Sequence, residues 1–391
     1  MSDHKIPRSK DNDYTHDSAA ARRSFVTGRT GASLSHVGQF SVPPESVSGN
    51  CENFMGVTQM PVGVAGPLLV NGEHASGEYY IPLATTEGTL IASYNRGMRA
   101  ITQSGGIRTT VFDDYMQRAP ALKFSSAREI KHFMEWFDAN YKQIKAEAES
   151  TSSIASLEFV QRWPVHNSLY MRWNYSTGDA AGQNMVSKAT DHACLWILKN
   201  YPGEIQYYAF SGGMDTDKKH SHINNLYSRG KRVVAELVLK KDVIENLLRT
   251  SASAIQNIRN ISSQGSLLAG ASYTGGHSAN GIAAFFIATG QDEANVAEAI
   301  TGFTYVELLE NKDLYWSITL PSLVVATYGG GTGLATQREA LEIMDCYGTG
   351  KVEKLIEIIG GAILAGEISL SSAVVSDEWV ESHDKHGRNR P

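Results

Sequence analysis

The segments LEFVQRW at residues 157–163 and SLYMRWNYS at residues 168–176 decide the fold. Both read as strands. In the second, Leu169, Met171, Trp173 and Tyr175 share one face at the two-residue period of a half-buried sheet. Ahead of them RTTVF, at 108–112, is a candidate strand. Ser126-Ala-Arg-Glu129 then forms a capping box that opens a helix, with Ile130, Phe133, Phe137, Tyr141 and Ile144 at helical spacing. Behind them a helix is expected from about Ala181 to Asn200, and EIQYYAF at 204–210 reads as a last strand. The order over residues 109–210 is β-α-β-β-α-β, that of a small ferredoxin-like domain.

The flanking sequence has another rhythm. PVGVAGPLLVNGEHASGEYYIPLATTEG, residues 61–88, sets apolar runs between Gly-Pro, Asn-Gly and Ser-Gly punctuation and reads as strands and hairpins, with Asn71-Gly72 as a two-residue turn. TLIASYNRGMRAI at 89–101 is helical. Beyond residue 211, helices at 242–258, 278–290 and 352–374 alternate with glycine-rich turns and a strand near 317–327. The fold class that results is α+β: a large α/β domain with a central helix (residues 51–108 and 211–391) carries the small domain (109–210) as an insertion. Residues 1–50 read as an N-terminal tail and a small helical region, with Arg22-Arg23 as a surface charge pair.

Composition narrows the function classes. The 391 residues are 42% apolar and 19% charged, with a net charge of -6, which excludes a disordered or collagen-like chain and argues against a nucleic-acid or anionic-membrane binder. The three cysteines, Cys51, Cys194 and Cys346, lie far apart and form no metal-ligand spacing, so no metal site is expected and a reducing compartment fits. No apolar run is expected to reach the ~20 residues of a membrane span, and the polar N-terminus has no signal-peptide core, so a cytoplasmic location without a membrane or nucleic-acid partner is the expectation.

Several motifs could carry chemistry. Thr177-Gly-Asp179-Ala-Ala-Gly182-Gln-Asn184 joins a strand to a helix N-terminus, where free N–H groups and the positive dipole end suit a pyrophosphate. Tyr328-Gly-Gly-Gly-Thr-Gly333 is a second backbone nest. Lys218, in Asp217-Lys218-Lys219, could aim an ammonium at a substrate. Glu87 could cap a helix or donate a proton. Asp292 and His383 each have a plain surface reading beside a catalytic one.

Together these motifs resemble the catalytic portion of class I 3-hydroxy-3-methylglutaryl-CoA (HMG-CoA) reductases, in soluble form, over roughly residues 20–390: ENFMG at 52–56, PVGVAGPL at 61–68, PLATTEG at 82–88, TGDAAGQNM at 177–185, DKK at 217–219, GQD at 290–292, TLPSL at 319–323, GGGT at 329–332 and SH at 382–383. The resemblance implies a four-electron reduction of HMG-CoA to mevalonate and free CoA through a hemithioacetal and mevaldehyde, with two NADPH (NADH possible) and coenzyme A as part of the substrate. It implies that Glu87, Lys218, Asp292 and His383 are catalytic, with Asp292 seated between Glu87 and Lys218. Arg118, Ser211, Asp217, Lys219 and Asn280 would hold the acyl group. Asp179, Gly182, Gln183, Asn184, Ser187, Gly330 and Gly331 would surround the dinucleotide. The family pattern also implies a homodimer or homotetramer with shared active sites.

Two departures bear on specificity. Ser153 stands where the family carries an arginine near the adenosine 2′-phosphate, which predicts a weaker bias toward NADPH. Arg259 stands near the position of a substrate-holding lysine, in a stretch whose spacing to His277 differs from the family's. A related acyl-CoA reductase of specialised metabolism is the alternative this leaves open. A catalytically dead relative fits poorly with the retained Glu87, Lys218, Asp292 and His383.

Overall fold

The structure is a computed structural model and describes residues 5–376. In chain order, α1 (His16–Thr30) precedes a hairpin of β1 (Val62–Asn71) and β2 (Ser76–Ala84), then α2 (Leu90–Gln103). Next come β3 (Arg108–Arg118), β4 (Ala121–Lys123), α3 (Ala127–Ala139), α4 (Tyr141–Glu149), β5 (Ser156–Val165), β6 (Ser168–Ser176), α5 (Gln183–Asn200) and β7 (Tyr207–Ala209). The remainder is α6 (His222–Tyr227), β8 (Gly230–Leu239), α7 (Lys241–Asn246), α8 (Ala252–Leu268), α9 (Ser278–Thr289), α10 (Val296–Ala299), β9 (Phe303–Leu308), β10 (Leu314–Leu323), α11 (Ala335–Ile343) and α12 (Val352–Val375).

This is a mixed α/β fold built on one sheet that serves two hydrophobic cores. The sheet runs β7-β4-β6-β3-β8-β10-β9, with β5 on the other edge of β6, and every neighbour is antiparallel. The strand β3 belongs to both halves. Its residues Arg108 to Tyr115 pair with β8, and Met116 to Arg118 pair with β6. A boundary at residues 108/109 therefore cuts away strand that is bonded to the larger half; the pairing changes over between Tyr115 and Met116.

In the smaller core, Leu169, Met171, Trp173 and Tyr175 point inward and are fully buried, as the alternation requires. They meet Ile130, Phe133 and Phe137 of α3 and Val186, Ala189 and Ala193 of α5. Ser126 Oγ accepts the Glu129 N–H and starts α3. The single helix expected to reach Ile144 is two, because Asn140 leaves the helical region (φ -106°, ψ 6°) and the chain restarts as α4.

In the larger core α12 is the central helix, packed on α2, α8, α9 and β8. It is long and apolar enough to cross a membrane, contrary to the sequence expectation, but 83% of its most apolar window is buried inside the protein. Of the three glutamates on it, Glu357 and Glu367 are fully buried. Glu357 accepts the backbone N–H groups of Glu73, His74 and Ala75 at 3.0, 2.9 and 2.6 Å. That carboxylate sets the β1–β2 turn, which spans residues 72–75 rather than Asn71-Gly72, since Asn71 still pairs with Ser76. Glu367 accepts from Gly276 N, His277 N and Ser278 Oγ and faces Arg259 Nη1 at 3.6 Å.

The N-terminal segment is tied down. Arg22 is buried, not a surface charge: it donates to the carbonyls of Pro7, Asp13 and Phe54 and pairs with the Asp13 carboxylate. Arg23 donates to Met55 O at 2.7 Å. Residues 7–13, read from sequence as part of a disordered tail, are held by these bonds. All three cysteines are free; Cys194 and Cys346 are buried, and burial pushes both thiols up to about 12.

Candidate active site

A cleft of about 930 Å³ opens where α5, the end of α9 and the loop after β10 converge, with residues 42–58 as its outer wall. Gly182, Gln183, Asn184, Gly330, Gly331 and Asp292 line it together, as the sequence motifs suggested. Gly182 takes a left-handed conformation (φ 81°), which a side chain could not share: a Cβ there would strike Thr177 at 2.4 Å. It is the N-cap of α5, and no side chain caps that end among the described residues, so N–H groups and the dipole's positive end face the cleft. Gly290 and Gly331 touch back to back, since a Cβ on Gly290 would lie 2.4 Å from Gly331 O. Gly329 and Gly330 have positive φ and open space where side chains would stand.

Two residues expected around a dinucleotide do not line the cleft. The Asp179 carboxylate caps α12, accepting from Gly350 N at 2.8 Å, Lys351 N at 3.0 Å and Val352 N at 3.2 Å. An aspartate beside free N–H groups at a helix start is satisfied there, and no local motif reveals that the helix in question begins 173 residues later, at Val352. Ser187 accepts from Arg118 Nε at 3.1 Å. Arg118 in turn contacts Asp215 Oδ2 at 3.0 Å and lies over Phe210, 5.2 Å from the ring centroid. Ser211 Oγ donates to the same Asp215 oxygen at 3.4 Å. Asp215, buried and unnoticed in the sequence, thus gathers Arg118 and Ser211. Its only hint was its place in Met-Asp-Thr-Asp just ahead of the lysines.

Lys218 and Asp292 meet. Lys218 Nζ lies 2.8 Å from Asp292 Oδ2, both side chains about two-fifths exposed, and this hydrogen bond holds the ammonium above its ordinary range. Asp292 also accepts Ala294 N–H at 3.0 Å. Gln291 fixes the same end of α9 by two hydrogen bonds to the Ala326 backbone, donating to its carbonyl at 3.0 Å and accepting its N–H at 2.7 Å. Lys219 Nζ donates to Asp217 O at 2.9 Å. Asp217 Oδ1 receives Arg229 Nη2 at 2.7 Å and Gln183 Nε2 at 3.4 Å.

Glu87 is elsewhere. It is exposed and accepts from Asn280 Nδ2 at 3.3 Å. Asn280 sits in the first turn of α9, whereas Asp292 follows the left-handed Gly290 that ends it. At 1.5 Å per residue the helix between them spans about 14 Å. The sequence expectation that Asp292 lies between Glu87 and Lys218 therefore fails within one chain: α9 is a spacer, not a shared shelf. Beside Asn280, buried His277 caps α9, its Nε2 3.2 Å from Ser93 Oγ; burial lowers its pKa. Arg259 is buried against Glu367 and donates to Thr274 O at 2.6 Å, so it is spent inside the fold rather than offered to a substrate carboxylate. His383 lies outside the described residues.

Fold and cleft together define an α/β protein with a glycine-rich anion cleft and a lysine–carboxylate pair at its mouth. The profile of the hydroxymethylglutaryl-coenzyme A reductase family matches residues 18–388, and the chain belongs to that family. It is 43% identical over 376 residues to the 3-hydroxy-3-methylglutaryl-coenzyme A reductase of Pyrococcus abyssi, covering 94% of this chain and 92% of that one. With the Aeropyrum pernix enzyme of the same name the figures are 44% over 380 residues, 95% and 90%. A similar fold, at a TM-score of 0.69 and 20% identity over 85% of this chain and 80% of the other, is that of the Streptococcus pneumoniae class II enzyme bound to NADPH in open conformations.

Proposed function

We propose that this chain reduces HMG-CoA to mevalonate and free CoA with NADPH, in an assembly of at least two copies in the cytoplasm. The observation that carries the reading is the Lys218–Asp292 pair at the mouth of the glycine-lined cleft. The cleft fits a dinucleotide: open space over Gly329 and Gly330 and the uncapped start of α5 suit a phosphate backbone, and the NADPH-bound pneumococcal relative supports the choice. That reductant supplies the electrons of both steps. In this reading the smaller core, with its β7-β4-β6-β5 strand order, is an inserted ferredoxin-like unit running from about residue 116 to 210.

Lys218 stands against the oxygen on which negative charge grows as the thioester becomes a hemithioacetal, and again at the aldehyde stage. A preorganised cation of this kind is worth about 3 kcal/mol. Asp292 holds the ammonium charged and aimed. His383 would protonate the departing CoA thiolate, and Glu87 would protonate the aldehyde oxygen. Arg118, Ser211, Asp217, Lys219 and Asn280 would frame the acyl group, the first two through their link to Asp215. Glu87 and Asn280 stand at the far end of α9 from Asp292 within one chain. A second copy that brings its Glu87 and Asn280 to the first copy's Lys218 would complete the set. The test is NADPH oxidation with purified HMG-CoA: two NADPH consumed per CoA released upholds the reading, and no turnover with HMG-CoA beside turnover of another 3-hydroxyacyl-CoA overturns it.

A further inference from the structure

The turn that carries Lys218 is bent against its own preference. Thr216 and Lys218 both have positive φ, 49° and 56°, a left-handed conformation costly for residues with a side chain. Such a turn persists only when its surroundings over-determine it. Two buried charges do so here. Glu298 of α10 accepts the Lys218 backbone N–H on Oε1 at 3.3 Å. Its Oε2 lies 2.9 Å from Arg229 Nε, off the direction of an aligned hydrogen bond, so the contact is ionic. Arg229, also buried, donates Nη2 to Asp217 at 2.7 Å and Nη1 to Gln117 O at 3.1 Å. Asp217 accepts in turn from Gln183, which opens α5, lines the cleft and donates to Asn295 Oδ1 at 2.9 Å.

A buried ion pair gives weak net stability because desolvation offsets its attraction. Its cost is justified where it fixes one geometry among several. We propose that Arg229 and Glu298 are positioning residues: they clamp the Asp217–Lys218 turn so that the Lys218 ammonium meets Asp292, and they register that turn against Gln183 in the cleft. Neither residue lines the cleft. The proposal rests on the reading of Lys218 as the cation of the reaction.

The test uses the full-length enzyme and the variant R229K, which keeps the charge but loses the guanidinium fork that reaches Glu298 and Asp217 at once. The expected result is a kcat about tenfold lower, or about 1.4 kcal/mol. KM should rise by less than kcat falls, because Arg229 and Glu298 line no part of the cleft and reach the ligands only through Asp217 and Gln183. An independent readout is the rate of reductive methylation of Lys218, followed by peptide mass spectrometry. It should rise several-fold as the ammonium leaves Asp292, while Lys219 keeps its rate. Should R229K fail to fold, E298Q, which keeps the volume and removes the charge, is read the same way. A folded variant with unchanged Lys218 methylation overturns the proposal, whatever its kcat. Faster methylation with unchanged kcat upholds the clamp and overturns the catalytic reading of Lys218. A lowered melting temperature with kcat per folded chain intact and methylation unchanged makes the pair merely structural.

Discussion

The two ends of α9 treat a carboxylate in opposite ways. At the C-terminal end Asp292 is paired with Lys218, braced by Gln291 and opens on a deep cleft. At the N-terminal end Glu87 stands exposed, bonded by one amide of Asn280. The lysine and its carboxylate are paired within one chain. At the other end Glu367 and Tyr94 fix the His277 backbone, while the Glu87 carboxylate is exposed among the described residues. One helix thus holds a braced carboxylate at one end and an open one at the other, and in the proposed reading only the first is complete within one copy.

The largest effects should come from removing either half. Lys218→Met is expected to lower kcat by about 10²–10³, the usual worth of one oxyanion partner. Glu87→Gln should lose a comparable factor, within the 10²–10⁴ or so of a positioned general acid. If the halves belong to different copies, co-expressing the two inactive chains regains a measurable part of wild-type turnover in the mixed assemblies. Mixed assemblies as inactive as the parents would break the comparison, and a Lys218→Met enzyme with more than about a tenth of normal turnover would sink the lysine's role.

Asp179→Ala should cost about 1–2 kcal/mol of stability, measured by urea unfolding, because three N–H groups at the start of α12 lose their acceptor. Substrate turnover per folded enzyme should change little; a large fall in NADPH affinity with stability intact would return this residue to the cleft.

A smaller effect is readable in pH. Burial raises the Glu298 carboxyl from 4.5 to about 7, against the pull of Arg229. A carboxyl raised in the folded state binds more protons than the unfolded chain between those values, so its contribution to stability is full below about pH 4.5 and lost as pH rises through about 7. Glu298→Gln should flatten the stability curve over that window, and an unchanged slope would show that another group carries it. Smallest of all, Ser153→Arg should shift the ratio of kcat/KM for NADPH over NADH upward by roughly tenfold at most, since it restores the charge that the family resemblance puts near the 2′-phosphate; no shift would place the 2′-phosphate elsewhere.

Much of the architecture was legible because it follows from periods. The strands at 156–165 and 168–176 announce themselves by alternation, and α9 ends where Gly290 predicts. What stayed hidden depends on distant partners. Arg22 reads as surface because charge is all the sequence reveals, yet backbone carbonyls from Pro7, Asp13 and Phe54 neutralise the penalty of burying it. The Asn71-Gly72 turn was displaced by Glu357, some 285 residues later. Motifs singled out Gly182, Gln183, Asn184, Gly330, Gly331 and Asp292, which line one cleft, but a match of letters does not record that a helix stands between Asn280 and Asp292. Arg229 and Glu298 had no motif at all.

The position of α12 carries a consequence for how the chain is made. Every side chain assigned to the smaller core lies between residues 116 and 197 except Val324, so nearly all of that core exists once the middle of the message has been translated. The larger core waits for Val352 to Ile368, which arrive last and fill its centre. Until then the faces of α2, β8 and α9 that pack on α12 lack that partner, and domains complete themselves in the order their parts emerge. A ribosome stalled before Val352 would therefore release a molecule with one finished core and one open one, the kind of half-built product that chaperones and proteases recognise.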